Sequence, residues 1–523
     1  MDGQTFDYVI VGAGSAGCVL AARLSADPSV RVALVEAGPA DTDPEIRIPM
    51  SALRLLGSDH DWGYNTVGQP HLGGRHIYWP RGKTLGGSSS VNFQMWVPGH
   101  RADYDGWAGA TDQRWSWETV QPYFRRAERW GGAPQHGSTY GTDGPLWISP
   151  PRDPDPTTTR FLAACEELGL RELADGLGGP DHTGYAVTPL NQHAGARWSA
   201  ADGYLRPAED RPNLTILTRR LVHRVCFADG RAVGIEYAGG RLLARRGVVL
   251  SAGAIGSPQI LMLSGIGPAT DLRELGITPY VDSAGVGANL HDHVAVDVSH
   301  HAAGPVRLLD AYAEESLRAY HERRLGPLTS NMAEAVAFFG SHDGCPAPDL
   351  ELIWVPMAFT DDGDEAAGLT VSVVLLQPQS RGRVTLADAD STSPPQIDPA
   401  YLSAEQDVTT LVAGVRFADR VFGTAALRGL VSGPMAPWRG ELSDEVLTAT
   451  VRERAATMFH PVGTCRMGRS DDPAAVVGPD LKVHGVENLY VADGSVIPRI
   501  PRGHTHATAV MIGERAADLL RRA

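Results

Sequence analysis

FDYVIVGAGSAGCVLAARLSAD, residues 6–27, followed by VRVALVEAG, residues 30–38, is the stretch on which the fold turns. FDYVIV is nearly continuous in apolar, β-branched and aromatic residues, the reading of a strand buried on both faces of a parallel sheet. GAGSAG follows at once, and CVLAARLSAD then has helical periodicity, with Val19, Leu20 and Leu24 on one side. A second strand ends at Glu36. Strand, glycine turn, helix, strand and acid together make a βαβ unit.

The glycine turn carries chemistry. A pyrophosphate is held by backbone N–H groups at a helix N-terminus, where the helix dipole is positive. Gly12 permits the tight turn, Gly14 lets the backbone approach phosphate, and Gly17 lets helix and strand pack closely. Ser15 lies inside the same turn. Glu36 stands 19 residues after Gly17, close to the spacing expected of an acid that accepts from ribose hydroxyls. A lone G-x-G-x-x-G is weak, but this one follows a strand, opens a helix and is completed by the acid. The glycines do not separate FAD from NAD. Glu36 argues against a 2′-phosphate, hence against NADP.

Outward from this unit, the chain reads as an ordinary globular enzyme. It has 523 residues, 43% of them hydrophobic and 20% charged, room for a large catalytic domain with a second lobe. The net charge of −15 argues against general binding to nucleic acid or anionic membrane. The five cysteines are odd in number and none has C-x-x-C spacing, which points to neither a disulfide framework nor a zinc knuckle. The start of the chain enters a strand pattern without a basic segment before it, and no apolar run is long enough for a membrane span, so a soluble cytoplasmic protein is expected.

Residues 39–135 are rich in Gly, Pro, Trp and Tyr, as in loops that cover a cofactor. Residues 158–170 form a helix pattern stopped by Gly169. Short strands follow around 213–250, two of them turning at Asp229-Gly230. Residues 306–324 read as one amphipathic helix stopped by Gly326-Pro327. Alternating strands recur at 350–358 and 370–386, helical text resumes at 405–422 and 443–457, and the chain ends in a helix over 510–523. DDGDE, residues 361–365, lacks the spacing of a calcium loop and reads as solvated. No H-E-x-x-H metal motif occurs, and no G-x-S-x-G elbow lies between a strand and a helix.

Five further segments carry a resemblance. RGKTLGGSSSVN (81–92), continuing to Trp96, Gly99 and Asp105, is similar to the first signature of the glucose–methanol–choline (GMC) oxidoreductases. GAIGSPQILMLSGIG (253–267) resembles their second signature, and HPVGTCRMG (460–468) their active-site histidine segment. DGSVIP (493–498) with HTHAT (504–508) is similar to their C-terminal flavin-contact region, and GVGANLHDH (285–293) to a further family element. The resemblance runs from residue 6 to residue 520, in order and with family spacing.

The resemblance implies an α/β chain with a Rossmann-like FAD-binding domain (1–155, 195–295 and 455–523) and an α+β substrate domain on an antiparallel sheet (156–194 and 296–454). It implies FAD contacts at Gly12, Gly14, Ser15, Gly17, Glu36, Ala37, Arg81, Leu85, Gly86, Gly87, Ser88, Asn92, Phe93, Val222, Ala252, Asp493, Gly494, His504 and Thr505, and no metal. Some family members attach flavin through a histidine just before the asparagine. Here that position is Val91, so FAD is expected to be non-covalent. Phe93 is bulkier than the residue usual at its position and narrows the pocket or favours a flat substrate.

Oxidising an alcohol needs a base for the hydroxyl proton, and histidine titrates near neutrality. His460 occupies the family's catalytic position. Counting back from MIGE (511–514) favours His506 as its hydrogen-bonding partner, with His504 kept as a flavin contact, and the choice between the two stays open at this point. His291 and His293, flanking Asp292, read as structural. Trp354, Met357, Phe359, Trp438 and Phe459 are pocket candidates, though such residues are more often core. The implied activity is oxidation of a small-molecule alcohol to a carbonyl, with electrons passed to dioxygen or a quinone-like acceptor. The alternatives from sequence are a hydroxynitrile-lyase-type enzyme with redox-silent FAD, or a non-enzymatic dinucleotide-binding sensor. The substrate, the choice between oxidase and dehydrogenase, and the oligomeric state are open at this point.

Overall fold

A computed structural model describes residues 3–360, 363–439 and 443–522. Positions 361 and 362 of the acidic loop lie outside the described residues, while Gly363, Asp364 and Glu365 are exposed. Among the described residues, two seven-stranded sheets carry the architecture.

The first sheet has its parallel centre in the strands Leu214–Leu217, Val32–Val35, Gln4–Val11, Gly240–Leu250 and Leu489–Val491, in that spatial order. The register aligns Leu217, Val35, Val11, Leu250 and Val491 in one row. The residues after that row all leave the sheet at one edge, where ligands bind open α/β sheets. Val9, Ile10, Val32–Val35 and Val248–Leu250 are buried, as parallel strands covered on both faces must be. The strand Gly240–Leu250 divides its pairing. Its first half joins the antiparallel hairpin Val222–Ala228 and Arg231–Tyr237, and its last three residues pair with Leu489–Val491. The hairpin turns at Asp229-Gly230, both with positive φ, the requirement of a two-residue turn whose twist matches its strands.

The helix Ser15–Leu24 packs against the last helix, Thr505–Arg522. Their close approach depends on Gly513, where a Cβ would meet Ala16 O at 2.9 Å. The last helix begins five residues before the apolar periodicity suggested.

The second sheet is antiparallel, in the order Val431–Pro434, Val294–Ala302, Gly368–Leu375, Leu350–Val355, Ala335–Phe339, Gly184–Val187. Its two faces follow from strand alternation. Leu350, Leu352, Trp354, Val371 and Val373 pack on the helix Glu405–Phe422, against Phe161 and Phe422. Val336, Phe338, Ile353 and Val374 point the other way and pack with Met95 and Val97. Glu351 shares that second face.

Two segments depart from their periodicity. Residues 306–324 are a 3₁₀ turn, Arg307–Asp310, and a separate helix, Glu314–Arg323, because Leu308 turns inward to Met50, Tyr320 and Met357. The helix read over 443–457 stops at Arg454. Ala456–Thr457 then pairs with Val294–Ala295 of the second sheet, which carries the chain into Phe459 and His460. No helix among the described residues is long and apolar enough to cross a membrane.

Candidate active site

One cleft, with an empty volume of about 1910 Å³ partly open to solvent, runs from the carboxyl edge of the first sheet to Met458, Phe459, His460 and Pro461, just past the short strand Ala456–Thr457. Of the residues implied to touch FAD or substrate, Gly12, Gly14, Ser15, Glu36, Ala37, Arg81, Gly87, Ser88, Asn92, Phe93, Val222, Ala252, Asp493, Gly494, His504, Thr505, His460 and His506 line it. Gly17, Leu85 and Gly86 do not. A Cβ on Gly17 would sit 1.9 Å from Gly12 O, so that glycine serves the helix–strand contact. Leu85 is buried in the core, and Gly86 N–H donates to Ala13 O at 2.8 Å.

At the first end the backbone makes the site. Gly12 has φ +97°, and a Cβ there would meet Ser251 O at 2.5 Å. Gly14 caps the helix Ser15–Leu24 without any side chain covering the first-turn N–H groups. They remain available to an anion, which the dipole favours. Gly87 crosses directly over this turn; a Cβ there would lie 2.6 Å from Gly14 Cα. Glu36 accepts from Ala13 N–H and Gly38 N–H, both at 2.8 Å, which fixes its carboxylate beside the turn. Burial pushes its pKa up, against those hydrogen bonds. Asp493 accepts from Gly253 N–H at 2.8 Å and Ser257 Oγ at 2.6 Å, joining the last parallel strand to the helix Gly253–Leu263.

His506 belongs to this end. Its Nδ1 lies 2.8 Å from Ser15 Oγ, and its Nε2 is buried with no hydrogen-bond partner among the described residues. A buried polar atom without a partner is costly, so an unpaired nitrogen on the cleft wall marks a place for a polar ligand atom. The glycines a Cβ would close, the uncapped helix start, the acid and this nitrogen together fit the diphosphate and ribose chemistry of FAD.

Asn92 stands between the two ends. The guanidinium of Arg197, itself fully buried, donates from Nη1 to Asn92 Oδ1 at 2.9 Å. Arginine only donates, so the amide oxygen must face it. Asn92 therefore presents its NH₂ to the cleft, suited to an acceptor on a flavin edge.

The second end is made of side chains from distant segments. The rings of His460 and His504 are 4.8 Å apart, nearly perpendicular. His504 Nε2 lies 3.0 Å from Glu351 Oε1, with both side chains buried. His460 N–H donates to Asp292 Oδ1 at 2.7 Å. Asp292 also accepts from Thr457 Oγ1 at 2.5 Å and from Tyr401 Oη, and burial lifts its pKa to about 6. His460 Nδ1 lies 3.0 Å from His293 Nδ1. Burial, then the neighbouring His504, His293 and Arg81, holds the His460 pKa well below the usual imidazole value. Its imidazole is therefore neutral at pH 7. Phe459 adopts φ +63°, unusual for a bulky residue, and Arg81 Nη2 donates to its carbonyl at 2.7 Å. This turn sets the direction of His460. Phe459 stacks with Phe93 at 6.3 Å to form an aromatic wall.

The partner expected for His460 is corrected: the facing imidazole is His504, and His506 lies at the opposite end. The reason is local. Thr505 starts a helix, so the chain turns between residues 504 and 506 instead of holding both side chains to one side as a strand would. Of the pocket candidates, Phe459 lines the cleft. Trp354 stacks on Phe161 on the far face of the sheet, Trp438 is in the same core, and Met357 and Phe359 belong to a separate cluster.

Sequence reasoning missed Glu351 and the contact made by His293. A single acid inside the apolar strand LELIWV was the available signal, because a buried charge needs a partner. His291 is structural in its contacts: Nδ1 meets Asn289 O at 2.6 Å, and Nε2 accepts from Ile500 N–H at 2.8 Å. Among the described residues, the one group able to hold a metal, His342, Cys345 and Asp349, does not line the cleft.

Comparison with known proteins gives the family and the fold. Two family models described as GMC oxidoreductase match residues 6–295 and 378–513. A GMC-type oxidoreductase of Mycobacterium tuberculosis is 44% identical over 533 residues, covering 100% of each chain. An alcohol dehydrogenase [acceptor] of Pseudomonas putida is 38% identical, covering 98% of this chain and 95% of that one. A formate oxidase of Aspergillus oryzae, in a structure described for its FAD modification, superposes with a TM-score of 0.91 at 32% identity, covering 100% of this chain and 99% of that one.

Proposed function

The chain belongs to the GMC oxidoreductase family and is an FAD-dependent oxidoreductase, and from that premise we propose that it converts an apolar alcohol to the carbonyl with His460 as the base. Bound FAD supplies the two-electron acceptor for the C–H bond that is broken. The turn at 12–15, Glu36, Gly87 and His506 hold the adenosine-diphosphate portion, and Asn92 donates to the ring. Val91, which precedes Asn92, offers hydrocarbon and no nucleophile, so the cofactor is held without a covalent bond at that position.

The observation that carries the reading is the pair of imidazoles, 4.8 Å apart, on the wall of the cleft that also holds the glycine turn. His460 takes the hydroxyl proton. His504, anchored by Glu351, gives the substrate oxygen its second hydrogen bond and orients the carbon. The first task suits a buried imidazole such as His460, whose depressed pKa keeps its lone pair present at pH 7. The wall opposite is Phe93, Phe459 and Met458, and among the described residues the only acids lining the cleft, Glu36 and Asp493, stand at the sheet edge. This favours uncharged, flat or aromatic alcohols over amino alcohols. The electrons pass to dioxygen or a quinone-like acceptor.

The test is anaerobic mixing of the FAD-loaded protein with a panel of benzylic, aliphatic and amino alcohols, followed by comparison of peroxide formation with dye reduction. Bleaching of the flavin's visible band by a benzylic alcohol is the expected result. Turnover of a cyanohydrin with no bleaching by any alcohol would overturn it.

A further inference from the structure

We propose that His293 is a positioning residue that dictates which ring nitrogen of His460 is free to take the substrate proton. This rests on His460 being the base.

The protons can be assigned from one end of a short chain. His293 Nε2 lies 3.1 Å from Leu376 O. A carbonyl only accepts, so Nε2 of His293 carries the hydrogen. Burial holds the His293 pKa down to about 3, against the pull of the Leu376 and Pro501 carbonyls, so the ring is neutral and has one N–H, which the short contact of Nε2 places on Leu376 O. Its Nδ1 is then a bare acceptor. That nitrogen is 3.0 Å from His460 Nδ1, with the rings crossed at 86°. His460 must donate from Nδ1. Being neutral as well, it is left with its lone pair on Nε2, which meets no hydrogen-bond partner among the described residues, while the ring lines the cleft. Without an acceptor on Nδ1, the single proton of His460 is free to sit on either nitrogen, and part of the population presents N–H to the substrate hydroxyl.

The two rings are held to this contact by the backbone. Met458 N–H donates to His293 O at 3.0 Å, and Val462 N–H to His291 O at 3.0 Å, with the return bond from His291 N–H to Val462 O at 3.2 Å. Segments 291–293 and 458–462 are thus joined on both sides of His460, and Asp292 ties down its amide. The motif HDH does two tasks: the acid aims the residue and the second histidine sets its tautomer.

Three substitutions separate this role from packing. His293→Leu removes the acceptor at similar volume. His293→Asn keeps an acceptor oxygen near the Nδ1 position. His293→Gln places its amide near the Nε2 position, reaching Leu376 O but not His460. Each FAD-loaded variant is mixed anaerobically with the best alcohol, and the limiting rate of flavin bleaching is separated from the apparent Kd. We expect the limiting rate of His293→Leu and His293→Gln to fall about 10- to 100-fold with Kd within about threefold, and His293→Asn to recover to within about threefold of the native rate. If His293→Leu does not retain FAD, the Asn and Gln variants decide. A native rate in His293→Gln, or an Asn variant as slow as the Gln variant, overturns the inference. His460→Ala in the same assay keeps the two ideas apart. If it bleaches at the native rate, the assignment of the base has failed; if it is slow while His293→Gln is fast, only the tautomer role has failed.

Discussion

The two ends of the cleft are built on different principles. The sheet-edge end is made largely of backbone: a glycine turn, an uncapped helix start and an acid, all between residues 12 and 36. The histidine end is made of side chains from positions 293, 351, 460 and 504, brought together from the second sheet, the ends of its strands and the approach to the last helix. A backbone site tolerates no added atoms but is indifferent to most side chains. A side-chain site depends on each partner's protonation and direction. His504 and His506, two residues apart, belong to opposite ends, so substitutions there should fail in different ways.

The largest expected effect is at the histidine end. His460→Ala should lower the limiting rate of alcohol-driven flavin bleaching by about 10²- to 10⁴-fold, the usual worth of a positioned base, while the protein stays yellow. Undiminished bleaching would break the comparison. At the other end, Gly17→Val drives a side chain into Gly12 O and should weaken FAD binding by at least about 100-fold, read as loss of bound flavin absorbance on gel filtration. His504→Asn should cut the bleaching rate about tenfold with FAD affinity retained. His506→Ala should do the reverse, costing about 1 kcal/mol of FAD binding, or roughly fivefold in Kd, with little change in rate. If the two effects are exchanged, the assignment of the histidines to the two ends is wrong.

The smallest effect is in pH dependence, and its sign follows from burial. A histidine whose pKa is depressed keeps its neutral, basic form as pH falls through 6.5. The bleaching rate should therefore stay within about twofold between pH 8 and 6.5 and begin to fall only near or below pH 6, where Asp292 gains its proton. A midpoint at or above pH 6.5 would mean an ordinary, solvated imidazole at position 460.

Local signals served the first end well. FDYVIV, the glycines and Glu36 lie in one βαβ unit, where sequence neighbours are also neighbours in space. The hairpin at Asp229-Gly230 and the helix Glu405–Phe422 were legible for the same reason. Periodicity failed where tertiary contacts cut an element short or extended it. Leu308 broke a helix by turning inward, and sheet pairing at Ala456–Thr457 ended another. The most consequential failure was the start of the last helix. Nothing in HTHAT states that the helix begins at Thr505 rather than five residues later, yet that boundary sends the two histidines to different ends. Glu351 was hidden because its strand is otherwise apolar, and its face is defined only by what the sheet packs against.

By itself, then, the order of residues determined the dinucleotide turn, because a phosphate turn is a local backbone conformation with few permitted side chains. Only the tertiary structure decided which imidazole faces His460 and which acid steadies that imidazole, because contacts between residues so far apart in the chain exist only after the second sheet and the last helix have packed together.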